Sequence, residues 1–119
     1  MIKIRSGNGL VCDADEAVSL PDRMRGLMGR RLSGKEGLLM VFPHSGFHSI
    51  WMAGMLQPID ICFIDSQKKV ANVARAAAPL SLNPLSWRIY LPRRPVEYVL
   101  ELPPNSGIRE GDALYWAKA

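Results

Sequence analysis

From residue 38 onward the chain is a succession of short apolar runs, each closed by Pro, Gly, Ser or Asn. Runs of this length with such punctuation predict strands, here at 38–42, 47–52, 59–65, 70–76, 88–91, 96–102 and 113–116. Upstream, Ile2-Lys3-Ile4 and Leu10-Val11-Cys12 flank Gly7-Asn8-Gly9, whose residues tolerate positive φ, and together they predict a hairpin at one edge of the fold. Within 59–65, Ile59, Ile61 and Phe63 alternate with Asp60, Cys62 and Ile64, so both faces are largely apolar. A strand of that kind is expected at the centre of a sheet.

Between the hairpin and these strands the period changes. Ser19 has the form of a helix N-cap, with Pro21 in the first turn, Asp22 three residues on and Gly29 as a terminator. On a helical wheel Leu20, Met24, Leu27 and Met28 share one arc, flanked by Arg23 and Arg30 on one side and Arg25 on the other. A short helix, docked apolar side down, is the expectation, and Gly26 and Gly29 keep it short. Residues 78–87, with Pro79 and Pro84, read as an irregular connection laid over the sheet. The pattern therefore predicts a mainly β fold of the α+β class: a compact barrel or sandwich-like antiparallel or mixed sheet with one short helix in the N-terminal half.

Composition narrows this further. A chain of 119 residues suits one domain spanning residues 1–119, and 48% apolar with 22% charged residues is the balance of a folded, soluble protein. A net charge of +4 and a pI near 9.4 permit contact with an anion. Only the stretch holding Arg23, Arg25, Arg30 and Arg31 concentrates that charge, so the pattern argues against nucleic acid as the partner. Cys12 and Cys62 form no CxxC pair, and neither a membrane-spanning run nor the apolar core of a signal peptide is present. A cytoplasmic protein is expected.

Candidate chemistry is sparse. There is no GxSxG, GxxxxGK[ST], HExxH or GxGxxG, and no cofactor or metal is implied. His44 and His48 are four apart, but Pro43 and Gly46 break any helix there, so they read as surface or interface histidines rather than zinc ligands. Met24, Met28, Met40, Met52 and Met55 read as core filling rather than a copper site. Asp60, between apolar residues in the most buried strand, requires a partner. An arginine of the early helix suits it, as a structural ion pair or as part of a site. Glu101 alternates against apolar neighbours and reads as solvent-facing on an edge strand. Convergence with Asp60 in a cleft would instead allow acid–base chemistry.

Three segments together resemble a known family: Arg23-Met24-Arg25-Gly26-Leu27-Met28-Gly29-Arg30; Trp51-Met52 followed by Pro58-Ile59-Asp60-Ile61-Cys62-Phe63-Ile64-Asp65; and Tyr98-Val99-Leu100-Glu101-Leu102. With residues 36–42 and Gly111-Asp112, their order and spacing resemble the domain of unknown function 192 family. The resemblance implies a small, mostly β prokaryotic domain with one short helix and no established activity. Its matched positions here are Arg23, Arg25, Arg30, Trp51, Met52, Pro58, Asp60 and Glu101. Where that family typically carries a polar Lys-Asn-Thr-like triplet after the tryptophan, this chain has Ala53-Gly54-Met55.

Three functions follow, in order. The first is a non-catalytic accessory or binding module in which Arg23, Arg25, Arg30, Trp51, Met52, Asp60 and Glu101 receive an anionic small molecule or a partner protein. The second is a hydrolase-like enzyme using Asp60 and Glu101, and the third a weak nucleic-acid binder.

Overall fold

The computed structural model describes residues 1–19, 22–23, 31–51, 57–77 and 89–117, apart from the side chains of Trp51 and Ala76. Its strands are β1 (Ile2–Ser6), β2 (Gly9–Ala17), β3 (Glu36–Gly46), β4 (Ile50–Trp51), β5 (Ile59–Ile64), β6 (Val70–Ala77), β7 (Ile89–Tyr90) and β8 (Val96–Leu102). Six of them form one mixed sheet in the order β1-β2-β3-β8-β5-β6, and β4 and β7 pair as a separate ribbon.

The predicted hairpin is β1–β2, at one edge of the sheet, closed where Ser6 faces Gly9. Of the three turn residues only Gly9 adopts positive φ, at 114°. β2 and β3 then run parallel, which an antiparallel turn cannot achieve and which needs a crossover of a dozen or more residues. Residues 18–35 supply it. Ser19 caps this crossover as expected: its Oγ accepts from the Asp22 amide (3.2 Å) and its carbonyl from the Arg23 amide (3.0 Å). The remainder of the predicted helix, including Arg25 and Arg30, lies outside the described residues.

Every residue of β5 is buried, as its two apolar faces require. It lies between β8 and β6, however, and the middle pair of the sheet is β3–β8. One face packs Leu38, Met40, Ile59, Ile61, Phe63, Val96 and Val99, with Leu32 and Ile50 against them. The other packs Leu39, Cys62, Ile64, Leu100 and Leu102 against Ile4, Cys12 and Leu114.

Two expected strands are shorter within the described residues than their apolar runs. The 47–52 run pairs only at Ile50–Trp51, and the 88–91 run only at Ile89–Tyr90. The last run, 113–116, makes isolated bridges: Ala113 with Lys69 beside β6, and Tyr115 with Arg5 on β1. Tyr115 exchanges two hydrogen bonds with Arg5 (2.8 and 2.9 Å), and the Leu114 amide donates to the Lys68 carbonyl (2.9 Å). This segment reaches both edges of the sheet without a continuous ladder, so the fold is sandwich-like rather than a closed barrel. Near the resulting mouth, β3 loses register between Val41 and Gly46, where Pro43 has no N–H to offer.

Candidate functional site

Register decides first what the two buried carboxylates can do. Asp60 stands opposite Leu102, on the face of Cys62 and Leu100. Glu101 stands opposite both Leu38 and Ile61, on the face of Phe63 and Val99. Directly opposed residues point to the same side of a sheet and neighbours along a strand to opposite sides. Asp60 and Glu101 therefore lie on opposite faces and cannot act together on one reacting atom.

Asp60 is 1% exposed, and its Oδ2 accepts from the Ser106 hydroxyl (2.7 Å) and the Ser106 amide (3.1 Å). Ser106 sits between Asn105 and Gly107, both in left-handed backbone (φ 65° and 78°), so the bend is built around the carboxylate. Among the described residues Ser106 thus holds Asp60, while Arg25 and Arg30 of the expected helix lie outside them. Glu101 departs from expectation. It is 2% exposed on an interior strand, and its Oε1 has no hydrogen-bond partner among the described residues. Burial pushes its carboxyl up to about 7.

Among the described residues, Arg23 is the predicted site residue that reaches an open concavity. From the start of the crossover its Nη1 donates to the carbonyls of Val18 and Val41 (3.3 Å for the latter), and its guanidinium lies 5.2 Å from the centre of the Phe42 ring. Arg23 lines a cleft of about 360 Å³ that Lys68 and Trp116 line as well. Lys68 is held at φ 64° in a turn whose amides at 67 and 69 donate to Asp65 Oδ1, and its Nζ lies 4.5 Å from the Trp116 ring centre. That Nζ also donates to the Trp116 carbonyl (2.9 Å). Tyr98 meets Trp116 edge to face at 5.0 Å, and Glu16 and Glu97 complete the charged lining. Burial, followed by the hydrogen bond to Glu97, pushes the Tyr98 phenol above its usual range.

A second opening of about 390 Å³ shares Arg23, Phe42 and Pro43 and adds His44 and His48. His48 stacks on Phe42 (3.8 Å between ring centres, 7° between planes), and its Nε2 lies 2.9 Å from the His44 carbonyl. The ring nitrogen aimed toward His44 is thus engaged by backbone, and the two imidazoles do not converge as a ligand pair. Among the described residues no three of His, Cys, Asp and Glu are grouped so as to hold a metal ion.

These features occur in a recognisable setting. The family model described as DUF192, Uncharacterized ACR, matches residues 2–116. The chain belongs to the DUF192 family. Among relatives of this DUF192 chain, UPF0127 protein PF1050 of Pyrococcus furiosus is 27% identical over 98% of this chain and 97% of its own length. Other UPF0127 relatives from Pyrococcus and Thermococcus align over about half of theirs. The crystal structure of a Sinorhizobium meliloti 1021 protein, provisionally described as a transcription regulator, is 28% identical, with a TM-score of 0.82 covering 97% of this chain and 91% of that one. A Novosphingobium aromaticivorans protein of unknown function has the same fold, with a TM-score of 0.84 at 24% identity, covering 97% and 83% of the two chains. No described helix is long and apolar enough to cross a membrane.

Of the DUF192 positions matched in the sequence, Arg23 lines the mouth cleft, while Asp60 and Glu101 are buried beneath opposite faces of the sheet. The Trp51 backbone pairs with Ile89 in the small ribbon. Met52, Arg25, Arg30 and the Ala53-Gly54-Met55 departure lie outside the described residues. Phe42, Lys68, Tyr98 and Trp116 escaped sequence reasoning. The one local signal is the Lys68-Lys69 pair, which marks a charged turn in the sequence. The left-handed backbone of Lys68, uncommon for a residue with a side chain, emerges only in the fold.

Proposed function

We propose that this DUF192 domain is a non-catalytic binding module that receives a small anionic molecule in the mouth cleft. The observation that carries this reading is the pairing of Arg23 over Phe42 with Lys68 over Trp116 on the walls of one cleft. Both cations are fixed by carbonyl acceptors yet keep donors in reserve, since a guanidinium has five N–H groups and an ammonium three. Pre-positioned cations beside aromatic surface bind an anion with little ordering cost. The opposed placement of Asp60 and Glu101 weighs against the two-carboxylate hydrolase.

Thermal unfolding with phosphate, citrate and benzoate, against salt-matched controls, tests the reading. A ligand at a hundred times its Kd adds about 2.7 kcal/mol, a rise in Tm of roughly 10 °C for a domain of this size. Arg23→Gln and Lys68→Gln should each reduce the rise. No rise with any carboxylate- or phosphate-bearing ligand, or an undiminished rise in both variants, would overturn it.

A further inference from the structure

We infer that the ligand of the mouth cleft is amphoteric: an aromatic amino acid or dipeptide whose carboxylate meets Arg23 or Lys68 and whose ammonium meets Glu16 or Glu97. Such a ligand presupposes the anion site proposed above and adds a group of opposite charge.

Two cations and two carboxylates line the same cleft of about 360 Å³. The ion pairs formed between described residues, Lys3–Asp13, Arg93–Glu110 and Arg94–Asp65, involve none of the four. Three of them are anchored elsewhere. Arg23 is tied to the Val18 and Val41 carbonyls, Lys68 to the Trp116 carbonyl, and Glu97 to the Tyr98 hydroxyl. Opposite charges thus share one concavity without an ion pair between them.

A plain anion entering this cleft gains from Arg23 and Lys68 but also meets Glu16 and Glu97, whose like charge repels it. A phosphate group, carrying nearly two negative charges, fares worse in a lining whose formal charge sums to zero. A zwitterion finds a complement for each of its ends. The volume sits near the lower end of the range for small-molecule sites, about 300–1,000 Å³, which suits an amino acid or dipeptide. Phe42, Tyr98 and Trp116 supply apolar wall for its side chain.

Calorimetric titration with four probes separates the charges: L-tryptophan, glycyl-L-tryptophan, N-acetyl-L-tryptophan with only the negative charge, and L-tryptophanamide with only the positive. One of the two zwitterions should bind at least about tenfold more tightly than either blocked compound, the equivalent of one well-placed charge contact. Which zwitterion does so separates a free amino acid from a peptide. Glu97→Gln or Glu16→Gln should shrink the preference for the zwitterion over the N-acetyl compound while leaving the latter's affinity unchanged or improved. An N-acetyl compound, or inorganic phosphate, that binds as tightly as the zwitterions overturns the amphoteric ligand and leaves the anion site standing. If neither these probes nor any simple anion binds, both fall.

Discussion

Glu101 offers a quantitative test of how the sheet is covered. Its carboxyl is pushed from 4.5 to about 7 by burial, so the fold favours the protonated form. Below the lower value both folded and unfolded chains hold the proton and the group contributes nothing to stability. As the pH rises from 4.5 toward 7 the unfolded chain ionises first, so stability is lost progressively. Above 7 the loss is complete and constant. The displacement is worth ~3 kcal/mol, a large part of the stability of an ordinary domain. Glu101→Gln keeps the shape and removes the titration. Urea unfolding of both proteins between about pH 5 and pH 8 isolates this group, because other titrations cancel in the difference. The variant should gain on the parent by ~3 kcal/mol across that window, whatever constant offset the amide introduces at the acidic end. Parallel stability curves, with the difference unchanged by pH, would refute the reasoning and mean that Glu101 is solvated or compensated.

Other perturbations are more local. A Cβ on Gly37 would sit 2.9 Å from Leu102 Cδ2, 3.1 Å from Cys12 Sγ and 3.3 Å from the Glu101 carbonyl oxygen, so Gly37→Ala should cost about 1–3 kcal/mol by urea denaturation. A neutral result would mean that the β2–β3–β8 contact is looser than drawn. Ser106→Ala removes a donor from the buried Asp60 carboxylate and should destabilise by about 1.5–3 kcal/mol, with a change under about 0.5 arguing against the loop as its support. Cys12 and Cys62 are both fully buried, and burial holds the Cys12 thiol up at about 12. In a thiol-reagent assay the native protein should therefore react far more slowly than the protein unfolded in guanidinium, and equal rates would contradict that packing.

The strands were legible because apolar alternation and turn residues are local properties. Their order was not. A parallel β2–β3 pair depends on where the crossover lands, and this placed β3–β8 in the middle and moved β5 one position outward. Glu101 shows the limit of alternation: a polar residue every second position signals solvent only when one face of the sheet is open, and here both are covered. That Asp60 needed a partner could be deduced from its neighbours. Ser106, 46 residues away, could not, because a short Pro-Pro-Asn-Ser-Gly bend meets β5 only in three dimensions. The mouth cleft was half visible. Arg23 belonged to a recognisable cluster, whereas Lys68 and Trp116 are 48 positions apart and meet through the crossing C-terminal segment.

That crossing segment imposes an order of events on the site. Glu16 and Arg23 come from the first strands and their crossover, Lys68 from the turn before β6, and Trp116 from beyond β8, so no fragment ending short of Trp116 possesses the cleft. Contacts between such distant parts of a chain form late and slowly, because the intervening loop entropy must be overcome first. A chain that stops short of Trp116 can pair most of the sheet and still lack the proposed site. The proposed binding would then report that synthesis has passed Trp116, a stage that pairing of the sheet alone does not reveal.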